Sequence, residues 1–144
     1  MKSKGKLYAH FSADGCIESF LDFARSRNTI EGGGWELTDE LEGADVVLVN
    51  SCVVGEIVER NCIEDMRRVK GRMKPGAQLI VTGCMPAYNM KALEELGAAF
   101  AYSSRDFHRL LEEYNLDAPE GEVGELERAY MGPYNIFNWV THLL

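Results

Sequence analysis

The chain has 144 residues, of which 46% are hydrophobic, with a formal net charge of −8 and four cysteines. This is enough apolar material to bury one core, which excludes a disordered chain, and the acidic balance excludes strong nucleic-acid binding by this domain alone, because phosphates are met with Lys and Arg. No long apolar run occurs and no apolar stretch follows the lysines of residues 1–6, so neither a membrane span nor a secretory leader is expected, and the protein is expected to be cytoplasmic.

Short β-branched runs alternate with helix-period segments. That pattern predicts an α/β domain, flavodoxin-like or Rossmann-like, in three layers around a central parallel sheet of about five strands. The first strand is expected over Leu7–Ser12. A helix over Glu18–Ile30 sets Phe20, Phe23, Ala24 and Arg27 on one stripe, and Gly32, Gly33 and Gly34 end it. Because that glycine run follows a helix and not a strand, it reads as a linker and not as a phosphate cradle. The second strand is expected over Trp35–Thr38. The third, Asp45–Asn50, and the fourth, Gln78–Thr82, are continuous apolar runs, as central strands buried on both faces require. Between them a helix over Gly55–Met73 buries Val58, Cys62, Met66, Val69 and Met73 at spacings of three and four, until Pro75 and Gly76 stop it. A shorter helix follows Asn89 and closes at Gly97, and a fifth strand is expected over Ala99–Tyr102. Ser103 with Asp106 three residues on forms a capping-box pattern, opening a helix with a stripe of Phe107, Leu110, Leu111 and Tyr114. Residues 1–115 thus read as one domain. Residues 116–144 read as an acidic linker and an unfinished element, whose Phe137, Trp139, Val140, Leu143 and Leu144 need something to pack against.

In a cytosolic chain, cysteines are ligands or reactive thiols more often than disulfides. Cys16 lies just past the first strand, Cys52 just past the third and Cys84 just past the fourth. All three fall at carboxyl ends of parallel strands, the edge where open α/β sheets bind ligands. Three thiolates with no obvious fourth ligand suit a 4Fe-4S cluster held through three irons, the remaining iron being open. Gly15 and Gly83 each precede one of these cysteines and let the backbone turn, and Pro86 stiffens the loop after Cys84. Two other readings stay open: the thiols as small core hydrophobes, and a structural zinc site with His10 as the nearest helper. Cys62 sits on the apolar helix stripe and reads as core filler. His10, His108 and His142 read as ordinary polar or capping residues, and no Ser-His-Asp arrangement is present.

The runs ADGCIESFLDFARS, GWELTDELEGADVVLVNSCVV and GAQLIVTGCMP resemble the N-terminal domain of the radical-SAM methylthiotransferases, over about residues 7–115. In that family an early Gly-Cys motif, an ADVVxxNTC motif and a VxGCM motif supply the ligands of an auxiliary cluster, which the resemblance carries onto Cys16, Cys52 and Cys84. The sequence departs from the pattern at Ser19, where the family usually has Asn, and at Asn50-Ser51-Cys52, where Ser keeps the hydroxyl of the usual Thr. The run Gly83-Cys84-Met85-Pro86 looks more like the archaeal and eukaryotic tRNA branch.

The family's CxxxCxxC motif, which binds the cluster that cleaves S-adenosylmethionine, is absent, and no cysteine follows Cys84. In the family that motif comes soon after a region like 130–144, so the chain looks cut just before its catalytic barrel. The resemblance implies an auxiliary domain that supplies sulfur or a methylthio group for insertion into a C–H bond of a tRNA adenosine or, alternatively, of a ribosomal protein residue. S-adenosylmethionine would be used only in the missing domain, the radical-SAM domain would be the partner, whether missing or separate, and this chain alone would be inactive. Three rival readings are a stand-alone iron-sulfur or persulfide carrier, a cobalamin domain lacking its Asp-x-His-x-x-Gly signature, and a small-molecule-binding or protein-interaction α/β module with buried thiols.

Overall fold

In a computed structural model that describes residues 3–11 and 17–117, strands and helices alternate along the chain as β1 (Lys6–His10), α1 (Ile17–Gly32), β2 (Glu36–Leu37), β3 (Val46–Ser51), α2 (Glu56–Arg72), β4 (Gln78–Gly83), α3 (Met85–Tyr88), α4 (Met90–Glu95), β5 (Phe100–Ala101) and α5 (Phe107–Tyr114). The strands form one sheet in the order β2-β1-β3-β4-β5, and every neighbouring pair is parallel. The expected five-stranded α/β sheet is therefore observed, in the flavodoxin-like order and not the Rossmann order. Winding proceeds one way from β1 to β2 and the other way from β3 onward. This makes the gap between β1 and β3 the topological switch point.

Strand side chains alternate between faces, and here each face has its own core. Val47, Val49, Leu79 and Val81 meet Cys62, Met66 and Val69 of α2 and Leu93 of α4. Val46, Leu48 and Ile80 meet Phe23 and Ile30 of α1, Leu110 of α5 and Tyr102. All six residues of β3 are buried, which is why Val46–Val49 read as a continuous apolar run instead of alternating.

The stripe of α2 is buried at Cys62, Met66 and Val69, as its period predicts. In α1 the buried face is instead Phe23, Ala24, Ser26, Thr29 and Ile30. Arg27 stays half-exposed, its guanidinium 3.9 Å from Glu31, because a charged head keeps to water while its stem lies on apolar surface. Ser26 can be buried because its hydroxyl donates to the Asp22 carbonyl at 2.9 Å and accepts from the Tyr102 phenol. The capping box at Ser103 is not made: its hydroxyl donates to the Asp106 side chain at 3.2 Å, and the segment starts as a 3-10 turn.

The amino edge of the sheet is held by polar contacts. Asp45 accepts from the Lys6 amide at 2.8 Å and pairs with Lys74 at 2.6 Å, Arg72 pairs with Glu42 at 2.6 Å, and the Tyr114 hydroxyl donates to Gln78 at 2.9 Å. Lys74, with the Lys6 amide, holds the Asp45 carboxyl below the usual carboxylate range, and Arg72 does the same for Glu42. Leu116 is buried in the α1 and α5 core, so packing continues one residue past 115. Residues 118–144, with the expected linker and His142, lie outside the described residues. Among the described residues no helix is long and apolar enough to cross a membrane.

Candidate functional site at the carboxyl edge

Ser51 and Gly83 are register partners at the ends of β3 and β4. Gly83 has φ +101, and a Cβ built on it would stand 2.2 Å from the Ser51 carbonyl oxygen. Only glycine fits there, by conformation and by space. The Ser51 hydroxyl donates to the Thr82 carbonyl at 2.7 Å and accepts from the Met85 amide at 3.2 Å, while the Cys84 amide donates to the Ser51 carbonyl at 3.2 Å. Ser51 thus ties the end of its own strand to the start of α3.

The consequence falls on the next residue of each strand. Neighbouring strands are about 4.8 Å apart, so Cys52 and Cys84 leave adjacent strand ends at one edge. Cys52 is fully buried in the same core cluster as Met85 and Cys62, whereas Cys84 is half-buried. Cys84 opens onto a shallow concavity of about 510 Å³ whose other described lining residues are Val53, Val54, Glu59 and Tyr88. Glu59, in the first turn of α2, accepts from the Asn89 side chain at 2.8 Å, and Asn89 in turn caps α4 through the Ala92 amide at 3.3 Å. Val54, Ile57 and Tyr88 are exposed by 77%, 70% and 78%. Pro86, expected to stiffen a loop, instead lies in the one-turn helix α3 that Cys84 caps.

Cys16, which directly precedes α1 in sequence, lies outside the described residues. The structure therefore brings two of the three candidate thiols to one edge, Cys52 after β3 and Cys84 after the neighbouring β4. Among the described residues no group of three or more His, Cys, Asp or Glu side chains is arranged to hold a metal ion. Two soft thiols on adjacent strand ends, closed together by a Cβ-free residue, are donors of the kind a thiolate-held cluster takes. His10 Nε2 is engaged by Asp65 of α2 at 2.7 Å and its ring stacks on Tyr8, an interaction that competes with any role as a zinc ligand. Cys62 is fully buried in the α2 core, as its stripe position predicts. Tyr88 and Glu59 carried no signal in the sequence, because one lies in an aperiodic stretch and the other on the charged face of a helix.

Residues 8–102 match the family described as "Uncharacterized protein family UPF0004". The chain belongs to that family. UPF0004 is the N-terminal domain of the methylthiotransferases. Among its relatives, a ribosomal protein uS12 methylthiotransferase of Helicobacter hepaticus is 28% identical over 95 residues, covering 66% of this chain and 21% of the relative. A tRNA-2-methylthio-N(6)-dimethylallyladenosine synthase of Thermoanaerobacter sp. is 35% identical over 88 residues, covering 58% of this chain and 18% of the relative. A probable threonylcarbamoyladenosine tRNA methylthiotransferase of Methanocaldococcus jannaschii is 28% identical over 123 residues, covering 83% of this chain and 25% of the relative. This UPF0004 chain thus spans about a fifth to a quarter of the length of the curated relatives it matches.

Proposed function

We propose that Cys16, Cys52 and Cys84 hold an auxiliary 4Fe-4S cluster, and that the chain serves as the cluster-binding part of a radical-SAM methylthiotransferase. The observation that carries this reading is the Ser51–Gly83 register, which sets Cys52 and Cys84 side by side at the ligand-binding edge. Cys16 follows β1 in sequence on the other side of the switch point. When bound through three thiolates, the cluster would keep one iron open and supply sulfur or a methylthio group for transfer. The chain's own residues do the positioning. Ser51 and Gly83 fix the two strand ends, the buried surroundings of Cys52 exclude water from its side of the site, and half-buried Cys84 faces the opening. S-adenosylmethionine would bind in a partner radical-SAM domain, in a longer polypeptide or a separate chain, and residues 116–144 would lead toward it.

A tRNA adenosine is the substrate we favour, in keeping with the names of the Thermoanaerobacter and Methanocaldococcus relatives, with a ribosomal protein residue as the second reading on the Helicobacter one. Iron and sulfide content after anaerobic reconstitution, with EPR of the reduced protein, tests the cluster. About four irons per chain are expected for the wild type, with clear loss in the Cys16→Ala, Cys52→Ala and Cys84→Ala variants. Wild type and variants binding equally little iron would refute it.

A further inference from the structure

The exposed large hydrophobic side chains found among the described residues are Val54, Ile57 and Tyr88, and Val54 and Tyr88 line the concavity that Cys84 enters, with Ile57 close by in the first turn of α2. Such clustering of costly exposure marks a recognition surface more often than scattered single residues do. Its chemistry is specific. Its lining includes the ring of Tyr88, exposed by 78%, and the aliphatic Val53 and Val54. The polar group is the Glu59 carboxylate, oriented by its bond from Asn89. A carboxylate accepts several hydrogen bonds, so this single bond fixes its direction and leaves acceptor capacity. A flat aromatic face with aliphatic sides and one acceptor suits a planar, uncharged group that carries N–H donors. The size of about 510 Å³ is ample for one base.

We propose that the concavity between Tyr88 and Glu59 is a base-binding subsite, in which Tyr88 stacks on an unstacked nucleobase and Glu59 accepts a hydrogen bond from its exocyclic amino group. This is the mode by which single-stranded bases are read: an aromatic platform supplies affinity and an edge contact supplies selectivity. The subsite rests on the reading of this edge as the place of sulfur transfer, because Cys84 lines the same concavity and brings the base beside it.

The probe is free adenosine, which has the amino group and no phosphate, titrated into the full-length, cluster-free chain and followed by NMR of the valine methyls and tyrosine rings. Saturable shifts at Val53, Val54 and Tyr88 are expected, with uridine, which lacks an exocyclic amino group and whose one ring N–H is flanked by two carbonyl oxygens that the Glu59 carboxylate repels, binding at least about fivefold more weakly. Tyr88→Ala should weaken adenosine at least about fivefold, as loss of one stacking contact does, while Tyr88→Phe keeps wild-type affinity. Glu59→Gln should bring adenosine and uridine to similar affinity. Tyr88 is exposed and Gln can still accept from Asn89, so these variants keep the fold. Adenosine that shifts none of the three residues, Tyr88→Ala that binds like wild type, or uridine that binds equally well would overturn the subsite. So would an uncharged peptide that takes the same residues in preference to adenosine. Because no cluster is present in this titration, its failure beside normal iron binding would remove the subsite and leave the cluster reading standing.

Discussion

Gly83 and Ser51 touch backbone to backbone: no room exists at Gly83 for even one methyl group, which would fall 2.2 Å from the Ser51 carbonyl oxygen and 2.8 Å from its amide nitrogen. The contact lies one residue before each of two thiols that leave the same edge of the sheet.

Replacing Gly83 by Ala should therefore destabilise the fold. A left-handed φ for a non-glycine residue and a backbone clash together cost about 2 kcal/mol or more. Thermal unfolding followed by circular dichroism should show a fall of several degrees in Tm; a Tm within one degree of wild type would contradict the close approach.

Ser51→Ala leaves the Met85 amide without its acceptor and the Thr82 carbonyl without its donor. Buried unmade hydrogen bonds cost about 1–3 kcal/mol, and α3 loses its tie to β3. Ser51→Thr keeps the hydroxyl and should recover most of the loss. Urea unfolding midpoints of the three proteins give the test, with the idea rejected if Ala and Thr behave alike.

Cys62 and Cys84 should respond in opposite ways. Cys62→Ala removes a fully buried sulfur and should lower stability by about 1 kcal/mol while leaving iron content after reconstitution unchanged. Cys84→Ala, half-buried at the opening, should lose iron with little change in Tm. Equal iron loss in both variants would mean that the helix stripe, too, serves the site.

Burial, and then the Glu113 carboxylate, pushes the Tyr114 phenol up to about 12. In an unfolded chain tyrosine titrates near about 10. Between these two values the native state holds a proton that the unfolded state has released, so stability is intact below pH 10 and declines as pH rises toward 12. Tyr114→Phe should flatten part of that alkaline decline, the remainder coming from Tyr102, which burial shifts in the same direction. Denaturation midpoints measured between pH 8 and 12 check this, and an unchanged slope in the variant would count against it.

The central strands and the burial of Cys62 were legible from sequence because period and burial coincide there: Val46, Val47, Leu48 and Val49 form an unbroken apolar run since both faces of β3 are covered. The carboxyl-edge placement of Cys52 and Cys84 followed from the same strands. What was not legible depended on contacts across the chain. The buried stripe of α1 took in Ser26 because Tyr102, from beyond β5, supplies its hydrogen-bond partner. The role of Ser51 emerged only from its register with Gly83, and Tyr88 became notable only through the residues gathered around it. Cys16, the third thiol of the expected set, falls outside the described residues.

Lys6 opens β1 and Tyr114 reaches Gln78 at the start of β4, so the described fold is entered and left on the side away from the thiols. Six strand residues at about 3.3 Å each put roughly 20 Å between those two sides. Polypeptide running on from Asp117 must cover that span before it can reach the rim, and the contour available to positions 118–144 is about 90 Å. A reporter or surface anchor attached at Lys4 would accordingly sit on the side of the sheet away from Cys52 and Cys84 and leave the opening beside Cys84 turned to solution.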